Sequence, residues 1–201
     1  MITQELLQKF CAANDYREYI RRPWKVGERV YATNGKYAIR LDSADGHSVE
    51  EITGKRANVE KLIAEHVVVS EWGSVPNLPA KIDCWACRGT GKVRLGECED
   101  CDGNGSFWHG NHDYECQNCD GTGWHAVDGG AEQDCSHCLG IGEELCRREN
   151  FTKVYNATVD GAFLRVIAQL PNVKVSSGKT ATDPIMFEFD GGCGLLMPLR
   201  V

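Results

Sequence analysis

Eight of the chain's eleven cysteines stand in pairs with two residues between them, and every pair is followed by two glycines at fixed offsets. The unit Cys-x-x-Cys-x-Gly-x-Gly begins at Cys84, Cys98, Cys116 and Cys135, and the second cysteines are Cys87, Cys101, Cys119 and Cys138. Two cysteines at this spacing can turn their sulfurs toward one cation, and a closed tetrahedral zinc site needs four such ligands. Four units therefore suffice for two Zn2+ ions with no unit cysteine left over. Glycine fits a chain that turns tightly round a metal, since it adopts positive φ and allows close backbone approach at low cost. Redox pairs and disulfides are the other chemistries open to such cysteines, and the repeated glycines argue against both. A site closed by four thiolates has no open coordination position, so the zinc expected here is structural.

The repeat, at residues 81–147, resembles the cysteine-rich zinc domain of DnaJ-type co-chaperones. The resemblance implies that the outer units share one ion, through Cys84, Cys87, Cys135 and Cys138. It likewise implies that the inner units share the second, through Cys98, Cys101, Cys116 and Cys119. It covers one third of the chain. There is no His-Pro-Asp tripeptide, no J-domain and no Gly/Phe-rich linker, so no stimulation of a chaperone ATPase is expected.

The net charge of −7 is uneven. Residues 1–80 hold 11 basic and 11 acidic side chains, residues 81–150 hold 6 and 14, and residues 151–201 hold 5 and 4. Two filled four-thiolate sites would make the middle segment more negative still. Such a lobe repels phosphate backbones and suits a basic or polypeptide partner; its charge also keeps a small-core lobe soluble. No stretch is long and apolar enough to span a membrane, and the N-terminus lacks a signal-peptide profile. Thiolates kept for metal fit a reducing interior, and a cytoplasmic location is expected.

The flanks carry globular patterning. Ile2, Leu6, Leu7, Phe10 and Cys11 follow helical spacing, which makes Cys11 a core thiol. Asn34-Gly35 between alternating strands predicts a two-residue hairpin loop that pairs Ala32 with Tyr37 and Val30 with Ile39. Ser48 with Glu51 has capping-box spacing. A helix is expected near 56–66 through Val59, Leu62 and Ile63, then a buried strand at 66–70 and a loop from Trp72 to Pro79. Beyond the repeat, 154–159 reads as a strand. Asp160 caps a helix through Phe163, Val166, Ile167 and Leu170, which Pro171 stops. Strands follow near 173–176, 185–189 and 195–201, with Asp190 to Gly192 as the turn between the last two and Cys193 in a turn as well. The C-terminal 51 residues are too few to bury an adequate core alone. The expectation is one discontinuous α+β domain, residues 1–80 plus 148–201, with a small, hairpin-rich two-zinc module at 81–147 inserted in it.

Three flank segments also resemble bacterial DNA sliding clamps, in clamp order. They are Tyr31-Ala-Thr-Asn-Gly-Lys-Tyr-Ala-Ile39, the helix from Val159 to Pro171, and the ending Leu195-Leu-Met-Pro-Leu-Arg-Val201. The resemblance implies two helices on curved sheets, one domain of a DNA-encircling ring. The chain has room for one such domain, so a ring would need a homo-oligomer. Met197, Pro198 and Leu199 would fall at the clamp's partner-peptide pocket; alternatively they close the last strand onto the core.

Arg17, Arg21, Arg22, Lys25 and Arg29 surround Tyr16, Tyr19 and Trp24, a composition that suits phosphate and base contact or simply a solvated face. DNA contact is thus open to the clamp-like domain and disfavoured for the acidic lobe. His109, His112 and His125 lie between the repeat units as spare ligands or loop residues. Trp85, Phe107, Trp108 and Trp124 either pack on the metal hairpins or offer rings to a peptide. Cys146 and Cys193 have no evident metal partner. Asp183, Glu188 and Asp190 have no arguable catalytic partners, and no hydrolase, P-loop or metalloprotease motif occurs. The expected function is a non-enzymatic zinc-binding adaptor linked to DNA replication or repair through the clamp-like domain. The alternative is a holdase-like chaperone factor that binds unfolded polypeptide.

Overall fold

The computed structural model describes residues 2–51, 54, 56–66, 71–127, 129 and 132–200. Among them the fold is mixed, with three short α-helices and antiparallel sheets. The helices are α1 (Gln4–Gln8), α2 (Val59–Glu65) and α3 (Gly161–Ile167). The first flank gives β1 (Trp24–Val26), β2 (Arg29–Thr33), β3 (Tyr37–Leu41) and β4 (Gly73–Ser74). The cysteine-rich segment gives β5 (Lys92–Glu97), β6 (Ser106–His109), β7 (His112–Glu115), β8 (Trp124–Ala126) and β9 (Glu132–Asp134). The last flank gives β10 (Phe151–Val154), β11 (Ala157–Asp160), β12 (Lys174–Ser176), β13 (Ile185–Phe189) and β14 (Gly192–Leu196).

Strands of both flanks form one seven-stranded antiparallel sheet, in the order β1-β2-β3-β14-β13-β12-β4. The period-2 alternation of β2 and β3 sends Val30, Ala32, Tyr37 and Ile39 to one face, where α1, α3 and the β10–β11 hairpin build the main core. Tyr37 joins the two helices: its ring lies 4.5 Å from Phe10 and 4.9 Å from Phe163, and its hydroxyl donates to the Lys9 carbonyl. The opposite face carries Trp24, Tyr31, Ala38, Met186 and Leu195 under Val59 of α2. Cys11 lies in the main core, where burial pushes its thiol up to about 12.

Helix starts follow side-chain caps. Thr3 accepts from Leu6 N at 3.1 Å, Asn58 from Lys61 N at 3.1 Å, and Asp160 from Ala162 N at 3.0 Å. α2 is thus capped by Asn58 and begins at Val59, and the Ser48–Glu51 spacing caps no described helix; Glu50 instead pairs with Arg22 at 3.0 Å. Leu62, expected on the apolar face, is exposed, and Ile63 is partly buried.

The β2–β3 hairpin departs from the expected register. Ala32 pairs with Ile39 and Thr33 with Ala38, a shift of two residues that keeps every side chain on its expected face. The cause is side-chain closure of a longer loop. Thr33 Oγ1 donates to the Tyr37 carbonyl at 2.6 Å, and Asn34 Oδ1 accepts from Lys36 N at 2.8 Å and Tyr37 N at 3.2 Å. The strand expected at 154–159 is broken by a tight turn at Tyr155 and Asn156 between β10 and β11, with Tyr155 at φ +54°. Gly73 and Ser74, expected in a loop, pair with β12.

The last strand begins at Gly192 and ends at Leu196, so Cys193 is a strand residue. Glycine at 194 lets the strand enter the sheet centre: a Cβ there would sit within 3.0 Å of the Ala38 carbonyl and the Phe187 ring, which fills the space instead. Met197 is exposed, and Pro198 and Leu199 are half-buried outside the strand, so neither continues the core strand as expected. The strand expected at 66–70 falls at 67–70 outside the described residues.

Candidate metal centre

Each Cys-x-x-Cys-x-Gly-x-Gly unit folds into one tight knuckle. In the first, Gly89 N donates to the Cys84 carbonyl at 3.2 Å, Thr90 N to the Cys87 carbonyl at 3.1 Å, and Gly91 N to Cys87 Sγ at 3.2 Å. The same bond to sulfur recurs at 3.2 Å from Gly105, Gly123 and Gly142. The residue before the first glycine is left-handed as well, although it is Arg88, Asp102, Asp120 or Leu139, with φ between +48° and +54°. Nothing in those residue types signals this conformation.

The knuckles join in pairs by reciprocal backbone bonds. Cys84 N donates to the Gly142 carbonyl at 3.1 Å, and Cys135 N to the Gly91 carbonyl at 2.8 Å. Cys98 N donates to the Gly123 carbonyl and Cys116 N to the Gly105 carbonyl, each at 2.8 Å. The second glycine of each unit lies against the first glycine's carbonyl in its partner, where a Cβ would come within 3.0 Å. Gly105→Ala therefore meets both a clash with Gly121 and a φ of +77°. It is expected to lower bound zinc from two ions per chain to one, as metal analysis would read. Gly110→Ala, at φ +63° with open space around it, should cost only about 1–2 kcal/mol and leave the metal content intact.

The result is two buried groups of four thiols: Cys84, Cys87, Cys135 and Cys138, and Cys98, Cys101, Cys116 and Cys119. In the outer group Cys84 Sγ lies 4.0 Å from Cys135 Sγ, and Cys87 Sγ 3.7 Å from Cys138 Sγ. In the inner group the corresponding distances are both 3.8 Å. A tetrahedron with Zn–S bonds of about 2.3 Å has sulfur–sulfur edges of roughly 3.8 Å, so each group could hold one zinc ion. These separations exceed a disulfide bond nearly twofold.

Burial pushes thiols up, and the Cys101 thiol, with three more sulfurs around it, reaches about 12. Cys119 is buried too, yet the Gly123 amide and the neighbouring thiols outweigh that and bring it down to about 7. Cys87 is lowered in the outer group, again against burial, by the Gly91 amide and its neighbours. Four thiolates at these distances would repel one another strongly, and a divalent metal could supply the missing charge.

Two residues beside the outer group were not singled out in the sequence. His137 and Glu144 bring ligand atoms close to Cys84; His137 Nε2 and Glu144 Oε1 are 3.1 Å apart, and the His137 ring meets Trp85 edge-on at 5.1 Å. The signal was His137's place inside the fourth unit. His109 and His112 face each other across β6 and β7, and His125 is on β8; none joins a metal group among the described residues. Trp85 and Trp108 are strongly exposed, with Phe107 and Trp124 less so, so the rings offer surface rather than packing on the metal hairpins. Cys146 is exposed, and Cys193 is half-buried.

The outer knuckles sit on the flank domain. Leu139 and Ile141 pack against the main core, and Asn14 Nδ2 donates to the Asp134 carbonyl at 2.6 Å. Where the segment enters and leaves, Glu144 N donates to the Ile82 carbonyl at 2.9 Å. Arg165 of α3 holds both segments there, Glu143 at 2.9 Å and the Pro79 carbonyl at 2.9 Å.

The basic cluster of the first flank is largely engaged. Arg17 pairs with Asp15 at 2.8 Å, Arg22 with Glu50 at 3.0 Å, and Arg29 with Glu60 at 2.7 Å; Arg21 donates to the Asp15 carbonyl. Asp183 accepts from Thr180 N, Asp190 from Asn172, and Glu188 pairs with Lys174, so each has a local partner. No helix among the described residues is long and apolar enough to cross a membrane.

No protein-family model matches the chain, and no curated protein matches it.

Proposed function

We propose that the chain is a non-enzymatic, zinc-stabilised interaction protein of the cytoplasm. Two structural Zn2+ ions build an acidic lobe of the DnaJ cysteine-rich type, residues 81–147. The lobe is an insertion in a discontinuous α+β host domain, residues 1–80 plus 148–201, related to the sliding clamps. The observation that carries this reading is the pair of buried four-thiol groups at tetrahedral spacing, fully enclosed by thiol ligands. Such sites stabilise a shape and leave no coordination position for a substrate.

The clamp relation draws support from α1 and α3, which lie together on the Tyr37 face of a sheet made by both flanks. Protein contact suits the host better than DNA contact. Its helices present Gln4, Glu5 and Gln8, the α3 cation Arg165 is held by Glu143, and the first-flank arginines are paired. The role proposed is an adaptor or accessory factor at a DNA replication or repair complex. A second reading, a holdase for unfolded polypeptide, is favoured by the exposed rings of the lobe.

Metal analysis of protein purified without chelator is expected to find two zinc ions per chain; one or none would overturn the metal reading. Light scattering with a direct binding assay against the host's replication clamp and its loader tests the adaptor role. A strict monomer that binds neither would sink it, and suppression of aggregation of a model client would favour the holdase instead.

A further inference from the structure

The inner knuckles carry a hairpin to which no other described strand is paired. Among the described residues β6 and β7 pair only with each other, so their outer edges keep free backbone donors and acceptors. Phe107 and Tyr114 are cross-strand partners on one face, and His112 meets Tyr114 edge-on at 6.3 Å on that face. Both Phe107 and Tyr114 are exposed. Beside them opens a groove of about 630 Å³, and its remaining wall includes Asp100, Glu115 and Asp120. Among the described residues none of these three carboxylates has a basic partner, and no lysine or arginine lines the groove.

Resting on the metal reading above, the geometry points to this groove as the docking site for an extended, lysine- or arginine-rich segment of a partner protein. Charge complementarity selects the occupant. A cation over the faces of Phe107 and Tyr114 gains from the ring quadrupoles, and its neighbours along the strand meet the carboxylates. The open edge of the hairpin supplies backbone bonds to a chain in β conformation, and its alternate side chains then enter the groove. An apolar segment would bury three carboxylates without compensation, which costs more than the ring contacts return. Nucleic-acid phosphates would meet the same carboxylates and be repelled. A filled four-thiolate site is itself anionic, so metal loading deepens the field that draws the basic chain in.

Fluorescence anisotropy on the zinc-loaded full chain tests the assignment with four labelled probes. These are a twelve-residue peptide alternating arginine and serine, its glutamine-for-arginine analogue, an apolar peptide, and an oligothymidylate. The basic peptide is expected to bind in the micromolar range and to weaken at least tenfold between 50 and 500 mM salt. Asp100→Asn with Asp120→Asn, and separately Tyr114→Ala, should each weaken it about tenfold. All three positions are at the surface or exposed, and asparagine tolerates the left-handed backbone of Asp120, so two zinc ions and an unchanged melting temperature are expected in both variants. Equal binding of the apolar or glutamine peptide, preference for the oligonucleotide, or no binding by protein that holds two zinc ions would each overturn the assignment. In every one of those outcomes the zinc count still stands as a separate test of the metal reading.

Discussion

Cys138→Ala is expected to weaken the whole chain, while Cys119→Ala weakens only the lobe. Each variant removes one of four thiols, and each should lower the zinc content from two ions to one. The difference lies in what each knuckle touches. The unit that holds Cys138 also contains Leu139 and Ile141, which pack on the main core beside α1. The preceding strand, β9, is tied to Asn14. Once the outer ion is lost, that knuckle loses its backbone geometry and withdraws two apolar side chains from the flank domain. Stripping comparable contacts from a core costs about 2–4 kcal/mol, which for a domain of this size corresponds to a fall in melting temperature of roughly 5–15 °C. The inner knuckles support the β6–β7 hairpin and the acidic groove, and Cys119→Ala should leave the flank transition within about 2 °C of the parent. Hydrogen exchange of the β3 and β14 amides reads the flank domain alone. Equal loss of protection in the two variants would show that the outer knuckles are not coupled to the sheet in this way.

Arg165→Met is expected to be among the most damaging single substitutions outside the cysteines, and its cost should depend on pH. Glu143 is almost fully buried, and that burial raises its carboxyl above the ordinary 4.5 although Arg165 and Lys81 pull it down. Without Arg165 the carboxylate is left unpaired at pH 7, with an expected loss of about 3–5 kcal/mol. The Pro79 carbonyl loses its donor in the same step. The sign follows from linkage. A carboxyl whose pKa is raised on folding contributes stability that is fully present below its unfolded value and is lost as pH rises through its folded value. In the variant the folded value rises further, so the deficit is largest at neutral pH and shrinks as pH falls toward 4.5. Denaturant melts of parent and variant between pH 4.5 and 8 would show the two stabilities converging at the acid end. A pH-independent gap would mean that the arginine acts through packing alone. Glu143→Gln, which removes the costly charge but keeps an acceptor, should cost less than Arg165→Met at pH 7.

The metal groups were the most legible part of the chain because their chemistry is local. Cys-x-x-Cys fixes two sulfurs within one turn, and the glycines needed for positive φ are written beside them. Which pairs come together is a long-range matter; it is set by contacts between glycine and a distant carbonyl, such as Gly91 with Gly140, that no spacing rule encodes. The same limit governed the flanks. Faces were legible wherever alternation decided them, as in β2 and β3, and the loop between them was not, because Thr33 and Asn34 close it with their side chains. β14 starts earlier than the pattern suggests because Gly192 and Gly194 look like turn residues in sequence and act as space for Arg40, Ala38 and Phe187 in the sheet. Arg165 gives no signal at all, since its partner Glu143 lies inside the inserted segment and the Pro79 carbonyl on the far side of it.

The reciprocal pairing of knuckles also sets an order in time. The inner group joins cysteines 18 positions apart, as from Cys98 to Cys116, and lies wholly within the span of the outer group, whose Cys84 and Cys135 are 51 positions apart. Closing the longer loop from an open chain costs roughly 1 kcal/mol more than closing the shorter one. Once the inner knuckles have formed they draw their own ends together and shorten the path left for the outer pair. A nascent or refolding chain is therefore expected to fill the inner site first, and an outer ion, arriving second, would seat the finished lobe on its sheet.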